Sequence, residues 1–521
     1  MDNDRENYNR LKKEVEDEMA QKDTLAYKDV PVIAIYDVRG IQSYIFKTNK
    51  LKEIEGASSI VNNIFIETLK EAIGELEKEE NQTYTVYAEW ENKEEYRFAD
   101  GKTDIEVVSS AAGNTTVLFK SGALCRKINK KLSFLIIKKT YSLNLAIAVV
   151  KKTKSYKDDY TKLKIKLGII KAKMSYVSFA GSFPLTRKDL NNDPESEYSS
   201  YRKRWVSREV YQKLEKDSKV NGLKQLDEMK IEKNIAIVHI DGNGIGGVVG
   251  EEMKDLAEYK EAVSKIREVS KKINRSFNKE PIDEIKVRIA EWKETQKIVD
   301  ESKSYFREVI NAGDDITFVC SAEIAMSLCE IYINKLKEQK SGFTACAGIA
   351  YIGSHFPFSR GYEIAEKCCD NAKRKMREKM AVDDKPGYWL DFQIVRFMIN
   401  DLKEHRETNY MREGYNLLSR PYCLDESNNT FEKFKTYIEH FSDDKKVPRS
   451  WCKELRNAYD AGKATTAVTI SKMQSRDHKL PEESYGLYDE NKKTALYFDA
   501  LEMMDYYEDI TIKPAEGGKK S

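Results

Sequence analysis

Residues Asn311-Ala-Gly-Asp-Asp-Ile-Thr-Phe-Val-Cys320 carry the reading on which the rest depends. Val309 and Ile310 lead into the stretch, and Ile316 to Cys320 lead out of it as a largely apolar run. A glycine between two such runs marks a hairpin tip. The informative feature is Asp314 beside Asp315, because two carboxylates at a tip cannot be buried without partners. Oxygen donors so placed suit a hard divalent cation, Mg2+ or Mn2+, held against phosphate oxygens.

Working outward, Asn234-Ile-Ala-Ile-Val-His-Ile240 reads as a buried strand ending in Asp241, followed by Gly242-Asn-Gly-Ile-Gly-Gly247. The same plan occurs nearer the N-terminus. There Pro31-Val-Ile-Ala-Ile-Tyr36 ends at Asp37, Val38-Arg-Gly-Ile-Gln42 turns into a short helix, and Ala112-Gly-Asn-Thr115 makes a second hairpin tip. Asp37 is followed 77 positions later by Asn114, and Asp241 is followed 73 positions later by Asp314. A period of about 200 residues is a duplicated domain rather than a solenoid. Strand, helices, hairpin, helix and strand in that order predict an α+β, ferredoxin-like domain in each copy. Only the second copy keeps the paired acids.

Composition bounds the alternatives. At 521 residues the chain exceeds one ordinary core. A net charge of +2 gives no global argument for nucleic-acid wrapping. Residues 151–173 are lysine-rich, which fits either RNA contact or the wet face of a helix whose apolar side carries Tyr160, Leu163, Leu167 and Ile170. Neither an apolar signal segment nor a membrane-length run is present, and the eight cysteines include no Cys-x-x-Cys pair. A cytoplasmic protein with reduced thiols is the expectation.

Asp241, Asp314 and Asp315 are the candidate metal ligands and catalytic residues. Shared cations there would bridge a triphosphate, lower the pKa of a ribose hydroxyl and stabilise a pyrophosphate leaving group. Gly242, Gly244, Ile245, Gly246 and Gly247 form the turn and helix start where backbone could approach phosphates, and Gly313 supplies the hairpin tip. Asn243 serves either a ribose or base, or its own turn. Lys373 reads either as a point charge for a γ-phosphate or as a surface helix lysine. In the first copy, Gly56-Ala-Ser-Ser59 is placed at the mouth of a helix, where Ser58 is either a cap or part of a phosphate cradle.

These stretches resemble the large palm-domain subunit of type III CRISPR complexes, the cyclic oligoadenylate synthase. The likeness rests on Tyr36-Asp-Val-Arg-Gly-Ile-Gln-Ser-Tyr-Ile-Phe46, Lys52-Glu-Ile-Glu-Gly-Ala-Ser-Ser59, Asp241-Gly-Asn-Gly-Ile-Gly246 and Ala312-Gly-Asp-Asp315. Leu390-Asp-Phe392 and Ser419-Arg-Pro-Tyr422 add to it. GGDEF-type cyclases are more distant cousins. The resemblance implies two ferredoxin-like palm domains of the nucleotide cyclase and polymerase type plus a C-terminal helical domain. Its boundaries would be 1–28 (extension), 29–155 (first palm, degenerate site), 156–230 (helical linker), 231–424 (second palm) and 425–521 (helical domain).

It further implies that ATP is the substrate and that the palms together seat two nucleoside triphosphates. Asp241, Asp314 and Asp315 would direct attack of a 3′-hydroxyl on an α-phosphate, while Gly40, Gln42, Ser58, Gly113 and Asn114 seat the acceptor. Implied partners are guide-RNA complex subunits, with target RNA as activator, or a second copy if the protein is free-standing; no membrane is implied. Two departures stand out. All five histidines lie at or beyond 239, so no His-Asp pair of an HD nuclease domain precedes the first palm. Phe179-Ala-Gly-Ser-Phe-Pro184 stands where the family carries the cysteine pairs of a zinc module. A shortened, signalling-only form is the reading. Its rivals are a catalytically vestigial scaffold of a guide-RNA complex and a cyclic-dinucleotide synthase of another base preference.

Overall fold

A strand with no polar face must be covered on both sides, and the two apolar runs that end in aspartate each become the inner strand of a sheet. The computed structural model describes residues 2–21, 27–91, 95–111, 113–175, 187–188, 193–217, 234–298, 304–383, 386–425, 429–481 and 487–511. The turn residue Ala112 and the segment 179–184 lie outside the described residues. The chain packs as two units, Met1–Lys224 with Gly244–Arg275, and Gln225–Asn243 with Ser276–Ser521.

In the first unit, β1 (Val32–Arg39), β2 (Val86–Tyr87), β3 (Ile105–Ala111), β4 (Asn114–Phe119) and β5 (Asn144–Lys151) form a sheet ordered β2-β3-β4-β1-β5. β1 is antiparallel to both β4 and β5. Helices α1 (Asp2–Gln21), α2 (Ile41–Ile45), α3 (Leu51–Glu80), α4 (Gly122–Thr140), α5 (Tyr156–Lys173) and α6 (Arg208–Asp217) accompany it, with a separate hairpin of β6 (Glu195–Ser199) and β7 (Arg204–Ser207). β1, α3, β3, β4, α4 and β5 together make the ferredoxin-like βαββαβ fold. α5 had been expected in a linker. Instead its Tyr156, Leu163 and Leu167 join Ile33, Ile35, Ala146 and Ala148 in one core.

The same core takes a helix from farther along the chain. α7 (Ile245–Glu252) and α8 (Tyr259–Ile273) follow the second copy's first strand in sequence, yet they belong to the first unit. Tyr259, Ala262, Val263 and Ile266 of α8 bury one face against Ile33, Ile35 and Val108. The contiguous range 231–424 therefore does not pack as one body. Arg267 fixes the attachment. It is fully buried, pairs with buried Glu106 at 2.9 Å, and donates to the carbonyls of Val107 (2.6 Å) and Val108 (3.1 Å).

In the second unit, β8 (Ile235–Gly242), β9 (Phe306–Ala312), β10 (Asp315–Ser321), β11 (Ala345–Ile352) and β12 (Trp389–Ile394) build the main sheet. The short strands β13 (Met411–Arg412), β14 (Tyr415–Asn416), β15 (Tyr422–Cys423), β16 (Tyr488–Asp489) and β17 (Thr494–Ala495) follow. The order β15-β12-β11-β8-β10-β9 contains the same inner arrangement as the first sheet. β12, expected as an edge strand, is instead flanked by β11 and β15. Both hairpins even share a bulge: Val108 and Val309, each three residues before the last residue of its strand, are skipped in the ladder.

Helices α9 (Glu280–Thr295), α10 (Ala325–Glu338), α11 (Phe358–Asp383), α12 (Leu402–Asn409), α13 (Thr430–Ser442), α14 (Arg449–Ala461), α15 (Lys463–Gln474) and α16 (Phe498–Met503) complete this unit. α11 lies very close to β11. A Cβ on Gly348 would stand 2.0 Å from the Ala365 carbonyl oxygen, so only glycine fits there. The Ser419-Arg-Pro-Tyr422 stretch is structural. Buried Asp499 of α16 accepts from the Ser419 and Arg420 amides, both at 3.0 Å, and from the Tyr422 hydroxyl at 2.7 Å. Asp391 of Leu390-Asp-Phe392 is likewise fully buried, and Arg406 grips it with two bonds of 2.7 and 3.1 Å.

Candidate functional site

Alternation along a strand puts residues two apart on one face, so His239 and Asp241 of β8 share a side, as do Asp315 and Thr317 of β10. The ladder pairs Asp241 with Asp315 and His239 with Thr317. Two aspartates thus stand opposite each other at the end of adjacent inner strands. Asp314 occupies the tip, where its carbonyl accepts from the Gly242 amide at 3.2 Å. Gly313 has φ +69°, the left-handed conformation that a two-residue turn demands, and its carbonyl accepts from Asn278 at 2.9 Å. Ala312 ends β9 in the ladder opposite Asp315, so its backbone is extended and needs no glycine.

Burial and crowding set the electrostatics. Loss of solvation, then the Asp241 and Asp314 charges, push Asp315 up to about 7. Burial and Asp241 likewise raise Asp314. Glu366 of α11 adds to the repulsion on Asp315. Lys373, also on α11, answers this charge: its ammonium bonds the Asp241 carboxylate and donates to the Gly242 carbonyl at 3.2 Å. Burial disfavours that ammonium, but Asp241 outweighs it and holds the lysine charged. His239 is pushed down to about 4 by burial and so is neutral near pH 7. Its Nδ1 lies 3.1 Å from Thr317 Oγ1 and 3.4 Å from Asp315 Oδ1.

The donor set suits a hard divalent cation: all three acids offer only oxygen, and Asp315 Oδ1 is buried with no hydrogen-bond partner. Among the described residues, no three His, Cys, Asp or Glu side chains already converge as a metal cage. The charge resting on Asp241 is that of Lys373.

The other sequence candidates divide. Asn243 is buried and donates to Thr344 Oγ1 and to the Gly387 carbonyl, each at 3.0 Å, so it ties the turn to two distant segments. Gly244 has φ +64° and starts α7, which Ile245 and Gly246 open, and a Cβ on Gly244, Gly246 or Gly247 would meet nothing within 4 Å. In the first unit, Gly40 (φ +88°) starts α2, where Gln42 follows, and Gly113 (φ +77°) is so close to Ile41 that a Cβ would clash at 2.5 Å. Ser58 is a correction. α3 begins at Leu51, so Gly56 to Ser59 lie inside the helix and present no open N-terminus. Gly56 is there for packing, since its Cβ would fall 1.9 Å from the Lys213 carbonyl oxygen of α6.

Register also corrects the internal alignment. Asp37 pairs with Asn114, and the Val38 amide bonds the Gly113 carbonyl at 3.2 Å. The matching relations in the second unit are Asp241 with Asp315, and Gly242 with Asp314. Asn114 therefore corresponds to Asp315, and Gly113 to Asp314. A second correspondence gave no signal in the sequence: Lys171 of α5 pairs with Asp37 at 2.6 Å, as Lys373 of α11 pairs with Asp241. One lysine of the basic stretch 151–173 is thus paired with a strand-end aspartate. Glu366 and His239 were also missed, although the two-residue spacing of His239 from Asp241 was a readable sign.

Two ferredoxin-like sheets with a helical C-terminal region define a tandem palm fold. No family model matches the chain, and no curated protein matches it in sequence. Among solved structures, a Csm1-Csm4 cassette in complex with cA4 is similar over 92% of this chain and 70% of its own, with a TM-score of 0.54 and 14% identity. A Csm1-Csm4 cassette with cA3 gives 0.54 and 15% over 92% and 69%. Csm1 in T. onnurineus gives 0.52 and 14% over 92% and 69%. The likeness is one of fold, that of the Csm1 subunits of type III CRISPR-Csm complexes. Among the described residues, no helix is long and apolar enough to cross a membrane.

Proposed function

We propose that the protein is a metal-dependent nucleotidyltransferase that joins ATP into cyclic oligoadenylates, acting as a subunit of a type III CRISPR-like complex. The observation that carries the proposal is the facing of Asp241 and Asp315 across adjacent strands, with Asp314 at the tip and one Asp315 oxygen buried without a hydrogen-bond partner. Support also comes from the neighbours, Csm1-Csm4 cassettes in complex with cA4, AMPPNP and pppApA.

Asp241, Asp314 and Asp315 would hold Mg2+ or Mn2+, which when bound supplies charge to activate a hydroxyl and stabilise a leaving pyrophosphate. The chain's own part is positional. The β8–β10 ladder fixes the carboxylates. Lys373 pairs with Asp241 and lies on the helix beside the strand end, within reach of an incoming phosphate. In the first copy, Gly40, Gln42, Gly113 and Asn114 would seat the acceptor nucleotide.

The test is to incubate the purified protein with each nucleoside triphosphate and Mn2+ or Mg2+, and to identify products by mass spectrometry. Asp314→Ala with Asp315→Ala should abolish product while the circular dichroism spectrum stays unchanged. A double variant with wild-type turnover would refute the site. Absence of product from both, with metal-dependent ATP binding that needs the acids, would point to a missing activator such as a guide–target RNA complex. Absence of both product and binding would favour the scaffold.

A further inference from the structure

The second unit holds a cavity of about 340 Å³ under the loop 419–422 and against α13 and the β16–β17 hairpin. Its apolar wall is aromatic: Trp389, Tyr422, Phe434 and Tyr437. Tyr422 and Phe434 stack at 4.2 Å and 10°, which makes that wall a rigid surface. The rim is basic. Among the described lining residues Lys375, Lys379, Lys433 and Lys492 face a single carboxylate, Asp489. None of Asp241, Asp314 and Asp315 lines it.

Four ammonium groups around an aromatic wall form a site with two demands. The rim asks for a multiply charged anion, and the wall asks for a flat apolar body. Two of the ion pairs at the rim are replaceable. Lys375 meets Glu378 at 3.0 Å with both side chains about half exposed, and Lys492 meets Asp489 at 3.5 Å. Surface pairs of this sort contribute only about 0–1 kcal/mol, so a phosphate dianion that draws on several ammonium groups displaces them. The volume lies at the lower end of small-molecule sites, roughly 300–1,000 Å³, which suits one mononucleotide. A wider cleft of about 760 Å³ shares Lys375, Ser419, Pro421, Lys492 and Thr494 with the cavity, but its further charged lining is mixed, with Lys367, Arg374, Lys403, Arg406 and Arg420 beside Asp370, Glu378, Asp401 and Glu407.

We infer that this cavity binds a nucleoside phosphate, with the base against the Trp389–Tyr422–Phe434 wall and the phosphates among Lys375, Lys379, Lys433 and Lys492. The inference does not depend on the catalytic reading, because the site uses none of its residues and needs no metal.

The experiment is calorimetric titration of ADP in EDTA into the full chain carrying Asp314→Ala and Asp315→Ala, which silences the other candidate nucleotide site. The expected result is one metal-independent site. It should weaken at least tenfold when Lys379→Gln and Lys433→Gln are added, and stay unchanged with Lys472→Gln, an exposed lysine of α15. Inorganic phosphate and adenosine, titrated separately, should each bind at least tenfold more weakly than ADP. Three results would overturn the inference: no ADP binding at millimolar concentration, binding indifferent to the Lys379 and Lys433 changes, or binding seen only in the chain with intact acids. The last would assign the nucleotide to the palm and leave the proposed function standing.

Discussion

Asp315→Asn should stabilise the metal-free protein at pH 8 and do almost nothing at pH 4. The carboxyl's ordinary value of 3.8 is raised to about 7 by burial and by Asp241 and Asp314. A raised carboxyl holds its proton more tightly in the folded state, so its contribution favours folding at low pH and is lost as pH rises from about 4 to about 7. Above pH 7 the folded chain carries the full cost of the charge. A shift of about three pH units corresponds to roughly 4 kcal/mol, but the side chain is 37% exposed. Solvent screening reduces the figure to about 1–2 kcal/mol. Asparagine keeps the shape and removes the charge. Urea unfolding in EDTA at pH 4, 6 and 8 should show the variant's advantage growing with pH to that size. Millimolar Mg2+ should then stabilise the wild type more than the variant, reversing the order. A stability difference that is flat across pH would refute the electrostatic account of the site.

Other consequences concern the scaffold. Arg267→Ala leaves Glu106 buried and unpaired and should cost about 3–5 kcal/mol, measured as a shift in the urea midpoint; a change under about 1 kcal/mol would mean that α8 is not anchored this way. Gly348→Ala forces α11 away from β11, because the new Cβ would sit 2.0 Å from Ala365 O and 2.4 Å from Cys369 N. A loss of about 1–3 kcal/mol is expected, and product formation should fall with it, since Lys373 rides on the displaced helix. Asp499→Ala strips the acceptor from two amides and a hydroxyl. It should destabilise by about 3 kcal/mol or more, and faster hydrogen exchange at residues 419–422 would be the local sign.

The parts of the fold that could be read in advance are those with a local chemical reason. An apolar run ending in aspartate announces an inner strand, and a glycine with two acids announces a tip. Repetition of both announces a duplication. Register was harder, because the two tips place their glycine differently: Gly113 is the second loop residue and Gly313 the first. Aligning the glycines therefore displaced the comparison by one residue. Ser58 misled for a related reason. Serine is a common cap, but α3 starts at Leu51 after Lys50, which makes no side-chain cap, so nothing local marked the true start. The placement of α8 was invisible in another way. Its periodicity shows that an apolar face exists, while the core that receives the face depends on groups 150 residues away, such as Glu106. Lys171 was hidden among many lysines, and only its distance to Asp37 singles it out.

The matched lysine–aspartate pairs of the two copies invite a count of charge. In the first copy Asp37 and Lys171 cancel, and neither Gly113 nor Asn114 adds anything. In the second, Lys373 cancels Asp241, and Asp314 and Asp315, in the positions of Gly113 and Asn114, leave a surplus of two negative charges on the strands once both are ionised. The strand ends of the two halves thus differ, neutral in one and doubly negative in the other, over the same lysine–aspartate pair. Counted over the strand ends and their paired lysines alone, with Glu366 of α11 left aside, one divalent ion restores the balance that the sister half already has, and a monovalent ion leaves half of the surplus in place.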